Sequence, residues 1–428
     1  MFHSFFPNPR LFFGSFAAWA LFCVIAWFLG ARDWGDALSI GNLIGAGNPE
    51  ALAANADQAA KTAHAAATKW AINIWYYQYL TASFVAFTAF WMWYSPHRWS
   101  WWSVAGTSLI VFVTWYQVQV DVMLNEWFGR FYNTIQKALA KPNNIQPNEF
   151  WDHIWSFLTI VMIYMVVAVL NAFFTKHYTF RWRTAMNDFY MERWDRLRKI
   201  EGASQRVQED TKRFAIITES LGGRFLDAVM TLLAFLPILW VLSEQVRMLP
   251  VFGEVPKGLV FVAIIWALGG TVLLASVGIK LPGLEFRNQR VEAAYRKELV
   301  LGEDHESHAQ PPTVAELFDN VRKNYFRLFF HYMYFDVARY SYLQFSVLVP
   351  YMALAPTIIA GTITLGVMQQ IVRAFGRVEG AFQFLVHSWT TIVELISIYK
   401  RLAAFEATLN NQELTGIELE SIRGQPAE

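Results

Sequence analysis

The chain has 428 residues, 55% of them hydrophobic, 17% aromatic and only 16% charged. Soluble domains carry about 25% charged residues, so this composition excludes an ordinary soluble domain and points to a polytopic membrane protein. A formal net charge of +1 and the lack of a recognisable DNA- or RNA-binding motif argue against nucleic acid as a partner, and the single cysteine, Cys23, excludes an intrachain disulfide.

A helix that crosses a bilayer needs about 20 mostly apolar residues. In chain order the pattern predicts eight spans, at about 11–31, 71–94, 101–124, 153–175, 221–243, 258–280, 328–361 and 375–399. The first, LFFGSFAAWALFCVIAWFLGA, exceeds the roughly 7–15 apolar residues of a cleavable signal and reads as a true span. The alanine-rich segment AGNPEALAANADQAAKTAHAAATK (46–69) fits either an amphipathic helix outside the membrane or a loose loop. The seventh span is too long for one simple crossing, so it extends beyond the bilayer or bends near Pro350 or Pro356. The eighth is diluted by Arg377, His387 and Glu394.

Positive charge sets the orientation. Ten Lys and Arg residues lie between 176 and 213, from Lys176 to Arg213, and a second basic stretch runs from Arg287 to Arg327. Both are expected on the cytoplasmic side, and an even number of spans then places both termini there. Neither stretch reads as a loop. Phe189, Trp194, Leu197, Ile200, Val207 and Phe214 form an apolar stripe among charges, and Glu209 to Arg213 is a favourable i,i+4 pair. Spans four to seven therefore continue as long cytoplasmic helices, linked in pairs by turns near 200–204 and 302–312. In the second turn His305 and His308 lack metal-ligand spacing, and a solvated loop is the better reading.

Paired spans alternating with long inside hairpins resemble the membrane domain of an ABC-type exporter. IEGASQRVQEDTKRF (200–214) resembles the N-P-D-Q-R-I-x-x-D segment of the ABC family that includes peroxisomal fatty-acyl transporters. LEFRNQRVEAAYRKELVLGED (284–304) and APTIIAGTITLGVMQQIVRAFGRVEGAF (355–382) resemble two further segments of that family. A Walker A loop needs Gly-Lys followed by Ser or Thr. Lys61 is the only lysine followed by either, and Ala60 precedes it. FFPNP, SPHRW, FRWRTAMN, KLPGLEF, RVEAAYRKEL and VRKNYFRLFFHYMYF together resemble the SbmA/BacA family of bacterial peptide-antibiotic transporters.

That resemblance implies an all-α membrane protein: an ABC-exporter-like six-helix core with long cytoplasmic extensions, plus two extra N-terminal spans. The corresponding division is 1–99, 100–405 and a cytoplasmic tail at 406–428. It also implies a homodimer in a bacterial inner membrane. This dimer would import cationic or proline-rich peptides and peptide-derived antibiotics on the proton gradient, with no cofactor and no bound metal. Two alternatives remain: a membrane subunit that borrows ATPase subunits from another chain, and a lipid-handling membrane factor. No catalytic serine or cysteine constellation supports an enzyme.

Carboxylates are the candidate proton carriers. One that is partly desolvated and near other carboxylates binds a proton closer to neutrality than its ordinary pKa of about 4.3. Glu285 and Glu292 share a helix face, Glu209 and Glu219 lie in the partner hairpin, and Glu303 lies near the hairpin tip. Glu219 and Glu292 rank first, each sitting near the membrane end of its helix. Nearby arginines would neutralise some of these acids. Asp121 and Glu126, at the outer end of the third span, and the stripe His387, Thr391 and Glu394 are candidate cavity-lining residues. Arg224 with Asp227, and Asp336 with Arg339, read as structural i,i+3 charge pairs inside spans.

Overall fold

The computed structural model describes residues 1–49, 57–141, 143–198, 200, 203–246, 248–250 and 253–409. Thirteen α-helices are described: α1 Pro9–Ala26, α2 Gly35–Leu38, α3 Gln58–Tyr94, α4 Thr107–Ala140, α5 Pro147–Met191, α6 Trp194–Leu197, α7 Ala203–Gln205, α8 Thr211–Leu242, α9 Gly258–Gly278, α10 Leu281–Asp304, α11 Pro311–Ile359, α12 Leu365–Phe382 and α13 Phe384–Leu409. Between α8 and α9, β1 Met248–Leu249 pairs antiparallel with β2 Gly253–Glu254. This is an all-α membrane protein, because helices satisfy backbone polar groups internally where no water can.

Among the described residues, seven helical stretches are long and apolar enough to cross a membrane, where the sequence predicts eight. The helix that carries the second predicted span, α3, is not among them, because Asn73, Gln78 and several tyrosines dilute its apolar run. The alanine-rich segment is neither a separate helix nor a loop from residue 58 onward: it is the first part of α3, capped by Asp57, whose carboxylate accepts from the Ala60 N–H at 2.7 Å. Residues 50–56 lie outside the described residues. The most apolar window of α5 has no buried residue; Met162, Ile163, Val166, Val169 and Phe173 all stand exposed, as a lipid-facing helix requires.

The long extensions are present. The seventh predicted span is part of α11, a 49-residue helix with Pro350 and Pro356 inside it. It stops at Gly361, whose φ of 64° only glycine adopts without strain, and Thr364 then caps α12 by accepting from the Val367 N–H at 3.3 Å. Near Pro282 the chain breaks for only two residues between α9 and α10. The first hairpin turns earlier than predicted. Arg193 donates to the Phe189 carbonyl at 2.8 Å and lies 4.0 Å from the Phe189 ring, and α5 closes at Met191.

Two compact units are present. The first comprises Met1–Val113, Leu170–Ala215 and Arg401–Glu428. Its core is aromatic: Phe5 stacks on Trp182 with centroids 5.7 Å apart, and Phe12 packs edge-on against Trp91. The described part of the predicted tail, through Leu409, belongs to α13, and Glu406 accepts from the Tyr190 hydroxyl at 2.8 Å. The second unit comprises Thr114–Val169 and Ile216–Lys400. Its core joins Phe235 and Leu239 of α8, Leu259 and Ala263 of α9, Leu354 of α11 and Ile371, Phe375 and Val378 of α12.

Candidate functional site

Within the second unit, α10, α11 and α13 enclose a cavity of about 270 Å3. Pro282 opens α10, which places Glu285 one turn inside it. Leu281 and Leu284 pack on Leu328 of α11 and hold that turn in register with Tyr332, whose hydroxyl donates to Glu285 Oε1 at 2.8 Å. Thr391, Glu394 and Ser397 stand at three-residue intervals on α13 and face the same space, with Thr390 beside them. The lining carries two carboxylates and several hydroxyls but no Lys or Arg. A cavity of this size falls below the roughly 300 Å3 at which drug-sized ligand pockets begin, so it suits water, protons or a small cation rather than a peptide.

Glu285 and Glu394 come from two different predicted sets, and the structure brings them together. His387 does not join them: it is exposed, and its Nε2 lies 3.1 Å from Gln383 Oε1. Glu219 and Glu292 are half-buried, and among the described residues neither has a hydrogen-bond or ion-pair partner. Glu303 is exposed. Glu209 is held by Arg213 at 3.0 Å, the i,i+4 pair read from spacing.

Asp121, a cavity-lining candidate, has Arg377 of α12 at 2.5 Å from its Oδ1, and Glu126, further along α4, is exposed. One expectation needs correction. Arg224 does not pair with Asp227. Its guanidinium turns back to the Ser220 hydroxyl at 2.9 Å, a partner on the preceding turn that costs no desolvation of a second charge. Asp336 and Arg339 approach to 4.0 Å.

Residue-by-residue reading of the sequence misses two acids. Asp210, in the first unit, is buried and accepts two bonds from Arg401 at 2.8 and 2.9 Å, a bidentate clasp. It is the final acid of the N-P-D-Q-R-I-x-x-D-like segment, which was the available signal. Glu379, in the second unit, is only 7% exposed. It falls on the α12 face of Ile371, Phe375, Val378 and Phe382, and an acid on an apolar face is the signal that would have found it.

An all-α protein with multiple apolar spans and an acidic cavity among helices defines a membrane transporter domain. The SbmA/BacA-like family matches residues 96–410, and the chain belongs to it. It is also similar to the inner membrane ABC transporter ATP-binding protein YddA of Escherichia coli strain K12, 25% identical over 67% of this chain and 54% of that protein. An ABC transporter ATP-binding protein of Synechocystis is 25% identical over 73% of this chain and 47% of its own length. The chloroplastic ABC transporter D family member 2 of Arabidopsis thaliana is 24% identical over 67% and 40% respectively. The chain thus spans about half the length of the curated relatives it matches.

Proposed function

We propose that this membrane transporter is a homodimeric importer of peptides and peptide-derived antibiotics, driven by the proton gradient across a bacterial inner membrane. The observation that carries the reading is the cavity in which Glu285 and Glu394 meet beside Tyr332, Thr391 and Ser397. Carboxylates gathered among hydroxyls in one cavity are the groups a proton-driven transporter needs. Glu219 and Glu292, half-buried and without partners among the described residues, extend the set. Both termini face the cytoplasm in this reading, and the basic hairpin segments lie on that side. The deciding experiment is uptake of a fluorescent peptide by proteoliposomes under pH and voltage gradients imposed separately. Uptake that responds to the pH gradient without ATP supports the proposal, and indifference to it refutes the proposal.

The relatives' names favour a second reading, in which ATPase subunits on another chain power the same membrane domain. ATPase activity with co-purifying subunits would support it.

A further inference from the structure

The most buried acid of the second unit lies outside the cavity. Glu379 Oε1 accepts from the Ser346 hydroxyl at 2.5 Å and from Gln383 Nε2 at 3.0 Å. Ser346 in turn accepts from Trp266 Nε1 at 2.9 Å. Gln383 Nε2 also donates to the Tyr342 hydroxyl at 3.0 Å, and Tyr342 stacks on Trp266 with centroids 5.3 Å apart. Every donor to the carboxylate is neutral. Two arginines of α12 are engaged elsewhere, Arg377 with Asp121 and Arg373 over the Phe128 ring of α4. From α8 the charged group on this side is Asp227, which acts on Arg377. Residues of α9 contribute no titratable side chain. From α11 come Tyr342 and Arg339, the latter near Asp336 and acting on His387; from α13 comes His387 itself.

Gln383 sits at the break between α12 and α13 and is 4% exposed. Its amide has one donor end and one acceptor end. When Glu379 is a carboxylate, the NH2 must face it, so Oε1 faces His387, which must then present an N–H. When Glu379 carries a proton, the amide is free to turn over, and His387 must then present a lone pair. A neutral imidazole meets either demand by exchanging tautomers, so His387 can follow the amide without changing its own charge.

We propose that Glu379 is a further, buried proton-binding site, and that the Gln383 amide couples its charge state to the hydrogen-bonding state of exposed His387 across the α12–α13 break. The inference rests on the proton-driven reading for its role in transport, but not for proton binding itself. The test combines infrared difference titration of the purified protein with peptide uptake by proteoliposomes. A carboxylic-acid C=O band that titrates in wild type is expected to vanish in Glu379→Gln, together with uptake. Ser346→Ala keeps the carboxyl but removes its shortest donor, so band and uptake profile should both move to higher pH. His387→Gln should shift the band, and it should have no further effect when Gln383→Leu is already present. A Glu379→Gln protein whose titrating carboxylic-acid bands all match those of wild type, or one that transports with the wild-type pH profile, overturns the site. A Ser346→Ala protein with an unmoved band does the same should Glu379→Gln fail to fold, and a band insensitive to His387→Gln overturns the coupling. If wild-type uptake ignores the pH gradient while the band still depends on Glu379, the proton-driven reading fails and the binding site stands.

Discussion

At the scale of single residues, environment separates acids that look alike in sequence. Glu209, Asp121 and Asp210 have arginine partners, whereas Glu219 and Glu292 have no hydrogen-bond or ion-pair partner among the described residues. Glu219→Gln and Glu292→Gln are therefore expected to abolish uptake of cationic and neutral substrates alike while leaving substrate affinity intact. Binding measured on the purified variants, beside uptake, checks this; wild-type uptake in both would move proton loading elsewhere. The arginine-bound acids should behave differently. Asp210→Asn leaves the Arg401 guanidinium without its clasp and should destabilise the protein by about 3 kcal/mol, near the low end for a broken buried pair because Arg401 is 43% exposed. Thermal unfolding in detergent reads this directly, and uptake per folded molecule should not change.

At the scale of elements, close helix approach depends on small residues. A Cβ added at Gly270 of α9 would run into the ring of Tyr342 on α11, the same ring that stacks on Trp266. Gly270→Ala is expected to cost roughly 1–3 kcal/mol through overpacking, seen as a lower unfolding temperature, while Gly269→Ala, which meets nothing within 4 Å, should be near neutral. The helix ends follow similarly local rules. The sequence shows that a helix stops near 200, but the stop falls at Met191, because the Arg193 side chain satisfies the last turn of α5. A side chain's choice of carbonyl depends on its rotamer, which periodicity does not encode.

At the scale of the whole molecule, the energetics separate drive from switching. A potential of 100 mV contributes about 2.3 kcal/mol per charge moved, so a cargo of net charge +4 gains roughly 9 kcal/mol. Each tenfold accumulation costs about 1.4 kcal/mol. Under the proposed function, cationic peptides need no protons for drive, and the protons serve to switch the conformation. Uptake of a +4 peptide should rise with imposed voltage yet still stop when the inside and outside are both held alkaline, and neutral cargo should require the pH gradient.

Composition and apolar run length were sufficient to determine an all-α membrane protein with long helical extensions, because burial of the backbone in lipid leaves few alternatives. The short motifs were sufficient for the family. The span count was nearly reached and failed at α3, where Asn73 and Gln78 weaken a helix that is nonetheless 37 residues long. Only the tertiary structure decided which acids share a site. Glu285 and Glu394 are 109 positions apart by subtraction of their numbers, and they meet because Leu281 and Leu284 seat α10 against α11 beside α13. Glu379 was missed, and the Arg377 partner of Asp121 was not foreseen, for the same reason: what a carboxylate bonds to depends on the helix packed against it, and that helix lies far away in the sequence.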